Sequence, residues 1–344
     1  MLNFQPAPYR RSCSPPFWAR GGHAQTILAH GIPTRAPFVN GTTAGVQAKE
    51  IPLPDGDRLK AFYRAGTSGT LVSVFHGLSG DSDSDYMRLT AQAAGQAGHS
   101  VLCINHRGCG AGRGLARGLY HSGRGDDLGT VSAWVRKALP EARQIAVGFS
   151  LSGNALLLAM AENAENGLPC PDGGIAVNPP IDLRACSVRI SSGLNRLYDK
   201  RFVRRCLGAV RERQQDGLLP AGFGIPNPKT LWEFDELVTA PLSGFADAED
   251  YYARCSTQAR LRTIAQPTLV LHAIDDPFVT VESYQGTQLS PSVSLHLEPH
   301  GGHVGYLSGS TFRLEKWLGG ALSHYIGEVC AALDGEQLVA SRGS

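Results

Sequence analysis

The segment Gln144–Asn163, QIAVGFSLSGNALLLAMAEN, determines the predicted fold. It begins with an apolar run that predicts a buried strand, Gln144–Gly148, and continues into an alanine- and leucine-rich run that predicts a helix, Leu151–Asn163. The turn between them, Gly148-Phe149-Ser150-Leu151-Ser152-Gly153, places a small residue two positions before and two positions after a serine. A strand, a tight turn and a helix that meet at a serine indicate an α/β fold that presents Ser150 at the edge of a sheet.

Strand-like and helical runs alternate on both sides of this segment. Further strands are predicted at Thr70–Phe75, Ser100–Asn105, Gly174–Val177, Thr268–His272 and Val293–Leu297, and further helices at Tyr86–Ala97, Asp126–Leu139 and Thr311–Ala331. An Asp-Gly turn between Val46–Pro52 and Leu59–Arg64 predicts a β-hairpin ahead of them. This order predicts a mostly parallel central sheet with helices on both faces.

The alternation is interrupted after Pro179-Pro180, where strand-like runs give way to helical patterns. We therefore expect a core formed by residues 46–180 and 261–335, with residues 181–260 as a helical cap insertion above the sheet. Residues 1–45 are rich in proline, glycine and aromatic residues, and they predict an irregular arm packed on the core.

The composition excludes several classes of protein. Of 344 residues, 42% are hydrophobic and 18% are charged, which is typical of a globular chain and not of a disordered or coiled-coil one. The formal net charge of +2 gives no reason to expect a nucleic-acid partner. No run of about 18 apolar residues is present, so we expect no integral membrane segment.

The eight cysteines are scattered and form no C-x-x-C pair, so neither a zinc site nor a disulfide framework is expected. Arg10 and Arg11 are followed by no apolar run, so we expect no secretory leader, and together these features predict a cytoplasmic protein. The oligomeric state is left open.

Acidic and histidine residues follow the later predicted strands. A serine hydroxyl needs a neighbouring base to become a nucleophile, and an acid that orients the base. Asp275 and Asp276 follow the strand Thr268–His272, and His300 and His303 follow the next strand. Because the carboxyl ends of parallel strands share one edge of the sheet, all of these side chains are expected near Ser150.

The loop His76-Gly77-Leu78 follows an earlier strand at the same edge. Such a loop supplies one backbone amide to an oxyanion hole, and the residue after the nucleophile supplies the other. The backbone amides of Leu78 and Leu151 are therefore the predicted oxyanion donors.

These motifs resemble those of the α/β-hydrolase superfamily, and within it the group of bacterial YheT-like proteins and their animal ABHD-type relatives. The likeness extends over nearly the whole chain, in the order of the family. It is carried by the segments Gly21–Thr26, His76–Leu78, Asn105–Gly110, Gly148–Asn154, Asp275–Phe278 and Gly301–Gly305.

The resemblance implies a carboxylic ester hydrolase with Ser150 as nucleophile, Asp276 as acid and His303 as base, and with no cofactor and no metal. The match of Gly301–Gly305 favours His303 over His300. The spacing of Asp276 from Ala273, where many hydrolases have Gly-x-x-Asp, favours Asp276 over Asp275.

Three functions remain open from the sequence. The first is a serine esterase that acts on small-molecule esters, and the second is a lipase or phospholipase that acts on lipid esters. The third is a non-catalytic binding protein, because Ser152 stands where the family usually has glycine. Trp232, Phe234 and Tyr251 in the insertion either line an acyl site or form the insertion's own small core.

Two further motifs are interpreted as structural. The alternating carboxylates at Asp81, Asp83 and Asp85 lack the later residues of a calcium loop, and a solvated turn before a helix is expected. The glycines of Gly108–Gly114 lack the spacing of a nucleotide-binding loop. Arg107 is expected to be a structural hydrogen-bond donor.

Overall fold

An eight-stranded sheet runs through the centre of the chain in the computed structural model, which describes residues 3–37, 40 and 43–342. Of residues 336–342 only the helical backbone is described. Within the predicted N-terminal arm, residues 1, 2, 38, 39, 41 and 42 lie outside the described residues. The strands are β1 (Val46–Pro52), β2 (Arg58–Arg64), β3 (Thr70–Phe75), β4 (Ser100–Asn105), β5 (Arg143–Phe149), β6 (Gly173–Val177), β7 (Thr268–Ala273) and β8 (Val293–Glu298).

The strand order is β1-β2-β4-β3-β5-β6-β7-β8. The pairs β1/β2 and β2/β4 are antiparallel, and every other pair in this sheet is parallel. The predicted hairpin is confirmed, with Val46 opposite Arg64 in the β1/β2 register. The predicted α/β fold with a mostly parallel sheet is confirmed.

Ten α-helices are present in the described part of the chain. They are α1 (Gly22–Gly31), α2 (Asp85–Gln96), α3 (Gly125–Ala138), α4 (Leu151–Asn166), α5 (Leu183–Ile190), α6 (Arg196–Gln215), α7 (Leu231–Phe234), α8 (Ala240–Ser243), α9 (Ala248–Cys255) and α10 (Trp317–Arg342). A π-helical turn, Asp235–Thr239, joins α7 to α8. Short 3₁₀ turns lie at Phe17–Ala19, Gly110–Gly112, Gly193–Asn195, Gln258–Arg260 and Val281–Tyr284.

Each face of the sheet carries its own hydrophobic core. In β3, Val72 and Val74 belong to the cluster that contains side chains of α2 and α10. The alternate residues Leu71 and Phe75 belong to the cluster that contains side chains of α3 and α4. All six residues of β3 are buried. This period-two alternation, buried on both faces, is what a central parallel strand requires.

Two elements differ from the sequence-based prediction. The helix predicted to begin at Thr311 begins at Trp317, because Leu307–Ser310 (β9) and Arg313–Lys316 (β10) pair as a short antiparallel hairpin. Leu, Glu and Lys favour helices locally, but the pairing with β9 overrides that preference. The second difference is α1, a ten-residue helix inside the segment that was predicted to be irregular.

The interval from residue 181 to residue 260 contains α5 to α9 and no strand in its described residues. Its boundaries as a cap insertion stay a prediction. In the part of the chain that the structure covers, no helix has the length and apolar character needed to cross a bilayer.

Arg107 lies at the centre of a buried ion-pair cluster next to β4. Its guanidinium donates to both carboxylate oxygens of Asp127, at 2.7 and 2.6 Å, and to Asp57 at 2.7 Å. The Asp57 carboxylate also accepts hydrogen bonds from the backbone amides of Arg117 and Gly118. Arg107 therefore ties the β1–β2 turn to α3, and its predicted structural role is confirmed.

We predict that Arg107→Met lowers the free energy of unfolding by about 3–5 kcal/mol, because it leaves the buried Asp127 carboxylate without its counter-charge. Urea unfolding of the purified variant measures this loss. The control is Arg113→Met, which breaks the exposed ion pair to Asp216 and is expected to change the free energy of unfolding far less. Equal losses for the two variants would contradict the prediction.

Candidate active site

Ser150 occupies the turn between β5 and α4 with a left-handed backbone, φ 52° and ψ −119°. Its amide donates a 2.8 Å hydrogen bond to the Val177 carbonyl at the end of β6. A Cβ atom at Gly148 would lie 2.5 Å from the Ser152 carbonyl oxygen, so the turn requires glycine at this position. The strained backbone lifts the Ser150 side chain out of the strand and towards the carboxyl edge of the sheet.

His303 connects Ser150 to Asp276. Its Nε2 atom lies 2.8 Å from Ser150 Oγ, and its Nδ1 atom lies 2.8 Å from Asp276 Oδ2. The carboxylate accepts a proton from Nδ1–H, which leaves the Nε2 lone pair directed at the serine hydroxyl. Phe278 packs against the imidazole with ring centroids 4.8 Å apart. The structure thus brings three of the sequence-predicted residues into one hydrogen-bonded chain.

Asp276 is buried and fully hydrogen-bonded. Oδ1 accepts from the backbone amides of Phe278 and Val279 at 2.8 and 3.1 Å, and Oδ2 also accepts from the Asn178 side-chain amide at 2.7 Å. Burial opposes ionisation, but the neighbouring His303 and the Phe278 amide outweigh it and hold the pKa of Asp276 below its usual value. Asp276 therefore stays ionised at neutral pH.

The alternatives Asp275 and His300 lie together, away from the serine. The Asp275 carboxylate accepts a 2.8 Å hydrogen bond from the Gly302 amide through Oδ1, and its Oδ2 atom lies 3.4 Å from His300 Nδ1. Both residues support the loop that carries His303, and neither contacts Ser150.

Leu78 and Leu151 line the same cavity as Ser150. Among the described residues, neither backbone amide donates to a protein acceptor. Gly77 approaches so closely that a Cβ atom there would lie 3.2 Å from Ser150 Cβ, so glycine lets the loop reach the serine. Two amides without a described protein acceptor therefore belong to residues that line the cavity at Ser150, and their role as an oxyanion hole stays a prediction.

Ser152 fills the position where the related turns usually have glycine, and its hydroxyl is buried. Oγ donates to the His76 carbonyl at 2.5 Å, and it lies 2.6 Å from His106 Nε2 and 2.7 Å from the Tyr120 hydroxyl. Tyr120 donates to the same His76 carbonyl at 3.0 Å. Ser152 thus supports the strand end from which the Gly77-Leu78 loop begins, and Ser150 keeps its left-handed turn.

The two histidines of this network are neutral. The His106 amide donates to His76 Nε2 at 3.1 Å, which assigns the proton of His76 to Nδ1, and Nδ1 lies 2.8 Å from the Gly77 carbonyl oxygen. Burial lowers the pKa of His76 to about 4 and the pKa of His106 well below its usual value. No proton exchange near neutral pH is expected behind the loop of Gly77 and Leu78, the predicted oxyanion loop.

The loop that carries His303 is held by residues that sequence reasoning did not assign. Thr26 of α1 accepts a 2.9 Å hydrogen bond from the His303 amide, and Gln25 accepts one from the Leu307 amide at 2.7 Å. Asn178, which holds Asp276, was also missed. The position of Asn178 at the carboxyl end of β6 was the available signal for its role. Nothing in the sequence pattern of α1 indicated that this helix contacts the loop that carries His303.

Ser150 and His303 lie where two cavities meet. One cavity, of about 380 Å³, extends beneath the residues of the interval 181–260. It is lined by apolar side chains that include Ile190, Phe202, Val210 and Phe234. The other, of about 790 Å³, opens beside α1 and is lined by Tyr198, Arg201 and Lys316 among others. Phe234 and Tyr251 line the first cavity, while Trp232 packs edge-on against Tyr252.

No group of three or more His, Cys, Asp or Glu side chains in the described residues is arranged to hold a metal ion. All eight cysteines are free thiols.

Comparisons with known proteins show the family of this chain. The model of the alpha/beta hydrolase family matches residues 72–312. "Putative esterase YheT" of Escherichia coli (strain K12) is 35% identical over 280 residues, which cover 78% of this chain and 81% of that protein. "Phospholipase ABHD3" of Homo sapiens is 26% identical over 310 residues, which cover 86% of this chain and 73% of that protein.

Among solved structures, Est1E from Butyrivibrio proteoclasticus has the same fold, with a TM-score of 0.51 and 15% sequence identity, over 83% of this chain and 99% of that chain. The family model covers most of the described sheet and both ends of the hydrogen-bonded chain at Ser150. The chain belongs to the α/β-hydrolase family, in the group that contains YheT and ABHD3.

Proposed function

We propose that this carboxylic ester hydrolase works through a catalytic triad of Ser150, His303 and Asp276. The observation that carries the proposal is the unbroken hydrogen-bonded chain from Ser150 Oγ through both ring nitrogens of His303 to Asp276. A serine with a left-handed backbone between a buried strand and a buried helix supports the same role.

In the first half of the reaction, His303 Nε2 takes the proton of Ser150 while Oγ attacks the carbonyl carbon of the ester. The amides of Leu78 and Leu151 bind the oxyanion, and Asp276 stabilises the imidazolium. His303 then gives its proton to the departing alcohol as the carbon–oxygen bond breaks. An acyl-enzyme remains on Ser150.

Water completes the cycle. His303 takes a proton from the water molecule as its oxygen attacks the acyl carbon, and the proton returns to Ser150 when the carboxylic acid leaves. Each step needs only the three side chains and the two amides.

We propose that residues 181–260 act as a cap that encloses the acyl group. The apolar walls of the 380 Å³ cavity support this assignment, because they suit a hydrocarbon chain and begin at the reacting serine. The larger cavity beside α1 is then open to the alcohol part of the ester. A lipid ester is the second candidate substrate, and the relative named as a phospholipase favours it. The free thiols suit a reducing compartment, and we propose the cytoplasm.

We predict that Ser150→Ala abolishes labelling by a fluorophosphonate probe and lowers p-nitrophenyl ester turnover about 10⁴-fold or more, because among the described residues Ser150 supplies the only hydroxyl that hydrogen-bonds to the His303 ring. Gel fluorescence and initial rates on acetate to octanoate esters measure both effects. Ser68→Ala, an exposed serine before β3, is the matched control and is expected to keep full labelling. A folded wild-type protein that is not labelled would favour the non-catalytic binding protein instead.

Substitution of each of the two neighbouring aspartates tests which of them is the catalytic acid. Asp276→Asn is expected to lower kcat about 10⁴-fold, because an amide that donates to Nδ1 leaves the wrong histidine tautomer. Asp275→Asn is expected to change kcat less than about tenfold, since the Asp275 carboxylate accepts from the Gly302 amide and lies beside His300. Steady-state kinetics of both variants decide the assignment, and a larger loss for Asp275→Asn would contradict it.

Ser152→Ala tests the support of the oxyanion loop. We predict that kcat falls about tenfold to a hundredfold with little change in KM, because the His76 carbonyl loses a donor and the Leu78 amide shifts relative to the oxyanion. The control is Ser132→Ala, a buried serine of α3 that donates to Gln144, which is expected to leave kcat unchanged. If Ser152→Ala changes only thermal stability, the residue does not position the loop.

A further inference from the structure

Asp235 is a carboxylate in the wall of the apolar cavity that begins at Ser150. It is the first residue of the π-helical turn Asp235–Thr239, and its side chain is half-buried. Turns of this type make up well under 1% of residues and are frequent at functional sites. The turn sets Thr239 against Asp235, and the threonine hydroxyl donates to Oδ1 at 2.7 Å.

The protein provides hydrogen-bond donors to this carboxylate but no cation. Tyr252 of α9 donates to Oδ2 at 2.8 Å. Among the described residues, no Lys, Arg or His forms an ion pair with Asp235. Each carboxylate oxygen accepts two hydrogen bonds when it is fully satisfied, so each has capacity for one more.

The titratable groups that act on Asp235 from the elements packed around it are all acids. They are Asp199 and Cys206 of α6, Cys186 of α5, and Tyr251 and Tyr252 of α9. Burial is the main cause that raises the pKa of Asp235 to about 6, and Asp199 adds to it, against the donors Thr239 and Tyr252. The side chain is therefore mostly ionised at neutral pH in a place where protein atoms solvate it poorly.

We propose that Asp235 is a specificity residue that accepts a hydrogen bond from a hydroxyl group on the acyl part of the substrate. The preferred esters are then those of hydroxylated acyl chains, and plain alkanoates are poorer substrates. This inference rests on the proposed function, because the cavity must hold the acyl group.

A neutral donor suits this cavity better than a cation does. The cavity wall carries charges of both signs, with Arg107, Arg205 and Arg213 balanced by Asp81, Glu212 and Asp235, so it offers an ammonium group no net negative charge. A hydroxyl carries no charge to desolvate, and a hydrogen bond to an ionised carboxylate is stronger than one between neutral groups.

The test compares kcat/KM for hexanoate, octanoate and decanoate p-nitrophenyl esters with their ω-hydroxy and ω-amino counterparts. Product acids are followed by chromatography, so that the pH is free to vary. In the wild type we expect at least one ω-hydroxy ester to exceed its plain counterpart by about tenfold or more. Asp235→Leu is expected to reverse this preference. Asp235→Asn, which keeps an oxygen that accepts from Thr239 or Tyr252, is expected to reduce the preference.

Asp199→Asn is the matched control. Asp199 is also a buried carboxylate of the interval 181–260, but it accepts from Ser191 and from the Leu231 amide and does not line the cavity. The hydroxyl preference is expected to survive this change. The preference should also weaken as the pH falls below about 6, because protonated Asp235 is a weaker acceptor.

Two outcomes overturn the inference while leaving the proposed function intact. One is hydrolysis of all three esters of a given length at equal rates, and the other is a preference for the ω-amino ester. With either outcome, Ser150 is still labelled by the fluorophosphonate probe. Loss of labelling and of plain-ester turnover in the folded wild type would instead remove the proposed function itself.

Discussion

The left-handed backbone of Ser150 is the constraint on which the rest of the site depends. Such a conformation costs a non-glycine residue about 1–3 kcal/mol, so the surrounding structure must hold it. The Ser150 amide is held by Val177 of β6, and the Ser150 carbonyl accepts from the amides of Gly153 and Asn154. The strand before the turn and the first three turns of α4 are almost wholly buried. The two cores on either face of the sheet thus stabilise one strained residue.

The polar groups around that turn form two separate buried networks. One joins Ser152, His76 and Tyr120 behind the oxyanion loop, and the other joins Asn178, Asp276 and Tyr306 behind His303. Leaving any of these groups without a partner would cost about 1–3 kcal/mol, so each network has one favoured arrangement. The amides and the imidazole are therefore oriented before a substrate arrives, which is the condition for electrostatic stabilisation of an oxyanion.

Sequence reasoning identified the parts of the molecule that local patterns encode. The apolar alternation of β3 and the strand–turn–helix at Ser150 are properties of neighbouring residues, and both were predicted closely. The contact between Thr26 and the His303 amide joins residues 277 positions apart, and no periodicity encodes it. The hairpin of β9 and β10 was missed for a related reason, since four-residue strands carry too little pattern to outweigh helix propensity.

The interval 181–260, which we propose as a cap, differs from the core because the chemistry of its residues does not follow from their positions. Core residues lie at buried positions of regular strands and helices, so the position of each residue predicts whether it is apolar. The carboxylate of Asp235 follows from no such rule, because an apolar side chain would satisfy the packing of a cavity wall equally well. The ionised Asp235 carboxylate is least well solvated when the cavity is empty. A hydrogen-bond donor on a bound substrate therefore contributes more binding free energy there than it would at the protein surface. The proposed acyl selection by the interval 181–260 is therefore separable from the chemistry proposed at Ser150.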